Sequence, residues 1–418
     1  MPHSQTLYPN PLQPITLPEP PRVHWVESGQ ARSARWRSER GSAAPKQVVL
    51  ADDSLTADSA YRMACAGTGM LWRGDFQNAR LLLQAMSRRI DQVPKRKRVK
   101  TPTPVSMVEA FHLHRQAQAQ RARTLGMVLI EMDANHHIDL RRAPNVQTAC
   151  AQAWHAAEMP EQASSEATDD HTVLSLRELL GITSAAEWRR VGVEVMALGV
   201  APDNRIYPHY GVFSPVRGEY TGLVASAHLP KPGKGQTSLT AFDIGTGSGV
   251  LAAVLIRRGV GHVVATDSEP RALACAEDNF NRLGIQSQVT LLQADLFPPG
   301  QAHLIVCNPP WLPARPGSSL ERAVYDEGGR MLQEFLAGLR SHLAPGGEGW
   351  LILSNLAENL GLRSRSELLT MIDACGLRVI SRIDAKAQHP KTQDTTDALH
   401  QARSKEITSL WRLAAPKP

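Results

Sequence analysis

Two textures of apolar and polar positions divide the chain near residue 200. In the first stretch, apolar positions recur at helical spacing. Asp75 is placed to cap a helix in which Phe76, Ala79, Leu83, Met86 and Ile90 form one apolar face. Pro94 stops that helix, and Lys95-Arg96-Lys97-Arg98, with Lys100 close behind, begins a loop. A second helical run covers 105–123, and Met127-Val128-Leu129-Ile130 reads as a strand or a short buried segment. Residues 159–170 are a polar, acidic spacer. Ser184 and Glu187 then have capping-box spacing, with Trp188, Val191 and Val195 following on one face. These signals predict a mainly helical region over 48–200. The preceding residues, 1–47, are rich first in proline and then in arginine through Ala34-Arg35-Trp36-Arg37-Ser38-Glu39-Arg40, and are expected to form a disordered leader.

From about Ile206 short apolar runs alternate with amphipathic segments. Strands are predicted over 239–244, 262–266, 289–293, 303–307 and 349–354, with helices over 250–258, 270–283 and 330–343. Such alternation predicts an α/β domain over 201–418, a doubly wound parallel sheet with helices on both faces. Two further strands, 377–383 and 406–413, are joined by a long polar loop.

Composition narrows the picture only a little. A chain of 418 residues has room for two domains, and shares of 42% hydrophobic and 21% charged residues are ordinary for a soluble protein. No apolar run approaches the length that spans a bilayer, and Met1 to Arg22 lacks the layout of a secretory signal, so no membrane partner and a cytoplasmic location are expected. Cys65, Cys150, Cys275, Cys307 and Cys375 are far apart and odd in number, which suits reduced structural thiols. His112 with His114, and His136-His137, form no convincing metal set, and no metal is expected. The net charge of +6 and a pI near 9.2 admit an acidic or nucleic-acid partner without selecting one.

The candidate chemistry sits in two short segments. The first is Phe242-Asp243-Ile244-Gly245-Thr246-Gly247-Ser248-Gly249. Gly245 allows a sharp turn, Gly247 close approach of backbone to a ligand, and Gly249 close packing of helix on strand. A tight turn with no ligand is the alternative, since a glycine-rich turn alone is weak evidence. The Gly-x-Gly-x-Gly spacing differs from the dinucleotide pattern and argues against a dehydrogenase. Asp267 ends the second strand, where a carboxylate can accept hydrogen bonds from both ribose hydroxyls or cap the following helix. Asp295 is placed to accept from an adenine amino group, with Leu296 and Phe297 against the ring, or else to sit solvated in its loop. Asp243, inside an apolar strand, needs a partner: amides of the glycine turn, or the ammonium of a cofactor.

The second segment is Asn308-Pro309-Pro310-Trp311. The Asn308 side-chain carbonyl and the Pro309 backbone carbonyl can each accept one N–H of a planar nitrogen, fixing it and aiming its lone pair. Consecutive prolines stiffen the backbone and remove competing donors. Trp311 offers a flat face for an amide or a base. The alternative is a plain turn with a core tryptophan.

These two segments, Asp267 and the continuation Leu312-Pro313 resemble class I S-adenosylmethionine-dependent methyltransferases of the small-domain type, nearest the release-factor glutamine methyltransferases. RNA and DNA amino-methyltransferases share the Asn-Pro-Pro-aromatic corner. The resemblance covers roughly 206–415. It implies a seven-stranded Rossmann-like sheet with an antiparallel hairpin at one edge, and S-adenosyl-L-methionine as cofactor. Its contacts would be at Asp243, Gly245, Thr246, Gly247, Gly249, Asp267, Asp295 and Leu296. Asn308 would capture the acceptor nitrogen, with Pro309, Pro310 and Trp311 around it. Gly211-Val212-Phe213-Ser214-Pro215-Val216-Arg217 resembles the family's lead-in segment, in which Arg217 either touches the cofactor carboxylate or forms a surface salt bridge. Tyr325-Asp326-Glu327-Gly328-Gly329 either faces the substrate or only leads into the next helix. Trp311 stands where glutamine methylators usually carry tyrosine, and the 48–200 region, expected to recognise substrate, matches no segment of theirs. The expected function is methylation of a planar nitrogen, a protein glutamine amide first. An exocyclic amine of ribosomal or transfer RNA is the alternative, and a non-catalytic cofactor-binding subunit the third.

Overall fold

The computed structural model describes residues 20–92, 106–154, 171–232, 238–317 and 320–416. The basic tract at 95–100, the acidic spacer at 159–170 and the first part of the expected leader, residues 1–19, lie outside them.

The segment Arg22 to Trp36 is a β-hairpin, not a disordered leader. β1 (Arg22–Glu27) pairs antiparallel with β2 (Gln30–Trp36). Val23, Trp25, Ala34 and Trp36 alternate onto one face and are buried, while Arg22, His24 and Ser33 are on the other face and exposed. Arg22 and Arg35, part of the arginine content that suggests disorder, are therefore on the outward face of a strand pair. The hairpin joins a six-stranded sheet with β3 (Gln47–Ala51), β4 (Thr68–Trp72), β5 (Val128–Met132) and β6 (Thr172–Ser175), in the order β1-β2-β6-β5-β4-β3. Its edge strands β1 and β3 come together, so the sheet curls around Trp25, Trp36, Leu71, Leu129 and Val173.

The helices expected over 76–90 and 105–123 are present, and with three others among the described residues they cover that sheet. They are α1 (Ala57–Ala66), α2 (Phe76–Asp91), α3 (Met107–Leu125), α4 (Gln147–Trp154) and α5 (Leu176–Val191). Asp75 caps α2 by accepting from the Gln77 amide, and Phe76, Ala79, Leu83 and Met86 are buried. The cap of α5 differs from expectation. Ser175 at the end of β6, not Ser184, accepts from the Glu178 amide at 3.1 Å, and Leu176, Leu179 and Ile182 form the buried face. Ser184 lies inside the helix, and Trp188 and Val191 are exposed.

A short ladder of β7 (Val193–Glu194) with β8 (Arg205–Ile206), followed by α6 (Gly218–Ser226), leads into the second sheet. Its strands are β9 (Thr240–Ile244), β10 (His262–Asp267), β11 (Val289–Gln293), β12 (Ala302–Cys307), β13 (Leu343–Ser354), β14 (Arg378–Lys386) and β15 (Ile407–Ala414). The order is β11-β10-β9-β12-β13-β15-β14, parallel from β11 to β13, with β15 antiparallel to both neighbours. This is the seven-stranded Rossmann-like sheet expected, hairpin included. Alternate residues of the central strands divide between two cores. Ala241, Leu304 and Val306 pack under α6, α7 (Val250–Arg257) and α8 (Pro270–Leu283). Phe242, Ile244, Ile305 and Cys307 pack under α9 (Arg330–His342) and α11 (Arg365–Ala374). The short α10 (Leu356–Asn359) and α12 (His400–Arg403) lie beyond the strand ends. Among the described residues no helix is long and apolar enough to cross a membrane.

If the hairpin is part of the fold, Trp36→Ala should lower the unfolding free energy by about 3–5 kcal/mol in chemical denaturation, the usual cost of emptying a buried aromatic site. A change below about 0.5 kcal/mol, as for an exposed surface position, would show that the segment is dispensable.

Candidate active site

Strands β9 and β12 run parallel with Ile244 opposite Cys307, so the residues that leave them, Gly245 and Asn308, start side by side. This is the point where the strand order reverses, the usual crevice for ligands in an open α/β sheet. Past Gly245 the chain turns through Gly247 and Gly249 with φ of +55° and +81°, conformations that a residue with a Cβ adopts only under strain. A side chain at Gly249 would collide with the Phe280 ring at 2.6 Å, whereas one at Gly247 would meet nothing within 4 Å. Gly249 thus seats α7 against α8, and Gly247 opens onto a cavity.

Two carboxylates hold the turn. Asp243 Oδ2 accepts from Thr246 Oγ1 at 2.6 Å and from the Ala252 amide at 3.1 Å. Its partners are therefore the turn's threonine and the first turn of α7. The side chain is buried beneath the loop and is not among the residues that line the cavity, so what it does here is support the turn. Burial pushes its pKa up to about 6, against the pull of the Thr246 and Ala252 hydrogen bonds. Asp267 does line the cavity; it accepts from the Gly247 amide at 2.9 Å through one oxygen and from the Glu269 amide at 3.0 Å through the other.

The cavity has a volume of about 730 Å³. Gly245, Thr246, Gly247, Asp267, Asp295 and Leu296 line one side, and Asn308, Pro309, Pro310 and Trp311 another. Asp295 also pairs with Arg330 at 3.1 Å. Phe297 does not reach the cavity; it stacks on Phe335 and His342 under α9, which removes it from the expected ring contact. Open space at Gly247, amides on the turn, a carboxylate at the next strand end and Leu296 on the wall together fit an adenosine-bearing cofactor.

At the other wall, Trp311 Nε1 donates to Asn308 Oδ1 at 2.9 Å. The indole therefore orients the amide as well as offering a face. Arg217 stands over the Trp311 ring at 5.3 Å and pairs at 2.9 Å with Glu406, a fully buried carboxylate that also accepts from Ser354 Oγ and meets His389. Arg217 thus forms a salt bridge, to a buried rather than a surface carboxylate, and it also lines the cavity. Glu406 carried no sequence signal: it lies 189 residues from Arg217 in a polar stretch. Tyr325, Asp326 and Glu327 line the cavity, and Asp326 also accepts from the Met331 amide at 2.9 Å at the start of α9, so this loop does more than lead into the helix.

The raised Asp243 pKa has a stability consequence. Between the ordinary value of 3.8 and about 6 the folded chain keeps a proton that the unfolded chain has lost. Stability therefore falls as pH rises through that window, by ~3 kcal/mol in all. Asp243→Asn keeps an acceptor oxygen for Thr246 and Ala252 and removes the titration. Measured by denaturation, wild type should match the variant more closely near pH 4 and fall behind it by pH 7; a difference independent of pH would contradict the burial argument.

Residues 203–367 match the family described as methyltransferase small domain. A release factor glutamine methyltransferase of Cereibacter sphaeroides is 32% identical over 179 residues, 40% of this chain and 60% of that protein. A ribosomal protein L11 methyltransferase of Pelotomaculum thermopropionicum is 44% identical over 71 residues, 16% of this chain and 23% of that protein. A tRNA1(Val) (adenine(37)-N6)-methyltransferase of Shewanella loihica is 28% identical over 156 residues, 35% of this chain and 61% of that protein. The chain thus spans less than two thirds of the length of each of these relatives. In sheet order, glycine turn and sequence, residues 203–367 are thus similar to the methyltransferase small domain.

Proposed function

We propose that this chain is an S-adenosylmethionine-dependent N-methyltransferase whose acceptor is the side-chain amide of a protein glutamine. The observation that carries this reading is the Trp311–Asn308 hydrogen bond, on the wall of the same cavity that the glycine turn lines. When bound, S-adenosylmethionine supplies a methyl group on a sulfonium. Asp267, with lone pairs left after its two backbone bonds, would hold the ribose hydroxyls; the turn from Gly245 to Gly249 would lie along the cofactor, and Asp295 and Leu296 beside the adenine. Asp243 and Thr246 would act from below by fixing the turn.

A carbonyl oxygen has two acceptor sites. On Asn308 Oδ1 one is taken by the indole N–H, which leaves the other for an N–H of the acceptor amide. The Pro309 carbonyl would take the second N–H, and Pro310 brings no competing donor. Held in this way, the nitrogen loses conjugation with its carbonyl and presents its lone pair to the methyl group. Its proton becomes acidic only as the new bond forms, so no strong base is required. Neither histidine nor lysine occurs among the described residues lining the cavity.

The charge at the cavity favours an amide over a nucleic acid. Each lining arginine is already matched: Arg217 with Glu406, Arg271 with Glu39, Arg322 with Glu269 and Arg330 with Asp295. A phosphate backbone gains affinity by meeting free cations, whereas a glutamine side chain needs none. The relatives named for release-factor glutamine and for transfer RNA mark the two acceptors to compare.

Labelled cofactor offered with unmethylated release factor or with transfer and ribosomal RNA should mark the protein, and label confined to RNA would overturn the acceptor assignment. Asn308→Ala should lower the rate by about 100-fold or more, the scale of losing a preorganised polar contact at the reacting group. Trp311→Phe, which keeps a ring but loses the N–H, should cost about 10-fold, near the worth of one hydrogen bond. Both should bind S-adenosylhomocysteine like wild type in calorimetry. Full activity in Asn308→Ala would contradict the proposed capture.

A further inference from the structure

The N-terminal half reaches the small domain on the acceptor side of the cavity through α3. Phe111 and Arg115 are four residues apart and so share one face of that helix. Phe111 is buried in a cluster with Leu312, Leu356, Leu360 and Leu399, against which Val324 and Tyr325 also pack. Its ring lies 6.5 Å from that of Tyr325. One turn on, the Arg115 guanidinium sits 3.9 Å from the centre of the Tyr325 ring. The same group donates to the Arg315 carbonyl at 2.7 Å and approaches Glu321 at 3.4 Å.

Leu312, Val324 and Tyr325 are themselves part of the cavity wall, next to Trp311. Two backbone bonds link the arms, from the Leu312 amide to Val324 O at 3.2 Å and from the Asp326 amide to Leu312 O at 2.9 Å, while the Val324 and Tyr325 amides donate within their own arm to Glu321 O at 3.0 and 2.8 Å. Arg115 therefore meets both arms of this loop, at Arg315 on one and at Glu321 and the Tyr325 ring on the other. A guanidinium with a planar fork can serve a carbonyl, a carboxylate and a ring face at once, which an ammonium cannot.

We propose that Arg115 is a positioning residue for the acceptor: α3 braces the Leu312–Tyr325 wall so that the pocket beside Asn308 keeps the shape that admits the target amide. The inference rests on the proposed function for what occupies that pocket, and it assigns to the N-terminal half a part in acceptor selection distinct from cofactor binding. Arg115 touches no residue of the glycine turn, so its loss should leave the cofactor side intact.

The full-length chain and its Arg115→Ala and Arg115→Lys variants test this. With unmethylated release factor as acceptor, Arg115→Ala should raise KM about 10-fold or more while kcat at saturation and S-adenosylhomocysteine affinity stay within about two-fold. Arg115→Lys, which keeps the charge over Tyr325 but loses the fork, should fall between. Amide hydrogen exchange should quicken over 312–317 and 320–326 in Arg115→Ala and stay unchanged over 243–249. Unaltered exchange in the loop, or cofactor affinity lost in step with acceptor KM, would overturn the proposal. If wild type methylates no protein, the assignment of the acceptor fails, and the exchange measurement still decides whether Arg115 braces the wall.

Discussion

Parallel pairing of β9 with β12 is the constraint on which the site depends. One ladder, with Asp243 beside Val306 and Ile244 beside Cys307, delivers the glycine turn and the Asn308 corner to the same edge of the sheet. A one-residue shift of β12 would turn that strand over, moving Ile305 away from α9 and Leu304 away from α7. The packing on both faces thus fixes the register, and the register fixes the distance across the cavity.

Around that edge the structure spends buried polar groups on orientation. Asp243 and Asp267 hold the turn from below and from the side, and Trp311 holds Asn308. Glu406, buried with Ser354 and His389 as partners, holds Arg217 over the Trp311 ring. Each contact is a hydrogen bond or ion pair whose partner would be left unsatisfied if it were removed, which is costly in a dry site. The N-terminal half adds an outer layer through Phe111 and Arg115 on the acceptor wall, and through Glu39, which pairs with Arg271 at 3.3 Å on the rim.

How much of this could be read from the chain depends on how local the determining interactions are. The strands and helices of the second sheet were legible because each carries its own periodicity and caps, as Pro270 opening α8 and Gly284 closing it show. The glycine turn and Asn308 were legible because turn chemistry demands those residue types. The β1–β2 hairpin was not: its inward set is only Val23, Trp25, Ala34 and Trp36, and its outward face is written in arginine and polar residues. The start of α5 was misplaced because Ser175–Glu178 and Ser184–Glu187 offer the same spacing, and only the strand preceding Ser175 distinguishes them. Long-range partners such as Glu406 for Arg217, or Arg115 for Tyr325, leave no local trace, since each belongs to the fold and not to a segment.

The central claim is that cofactor and acceptor meet at the neighbouring ends of β9 and β12. The most direct measurement is a crystal structure of the protein with S-adenosylhomocysteine. The account predicts adenosine against Asp267 and the glycine turn, with the sulfur directed at Asn308 and Trp311 across a gap the size of one amide group. Ligand bound elsewhere on the chain, or a sulfur turned away from Asn308, would contradict it.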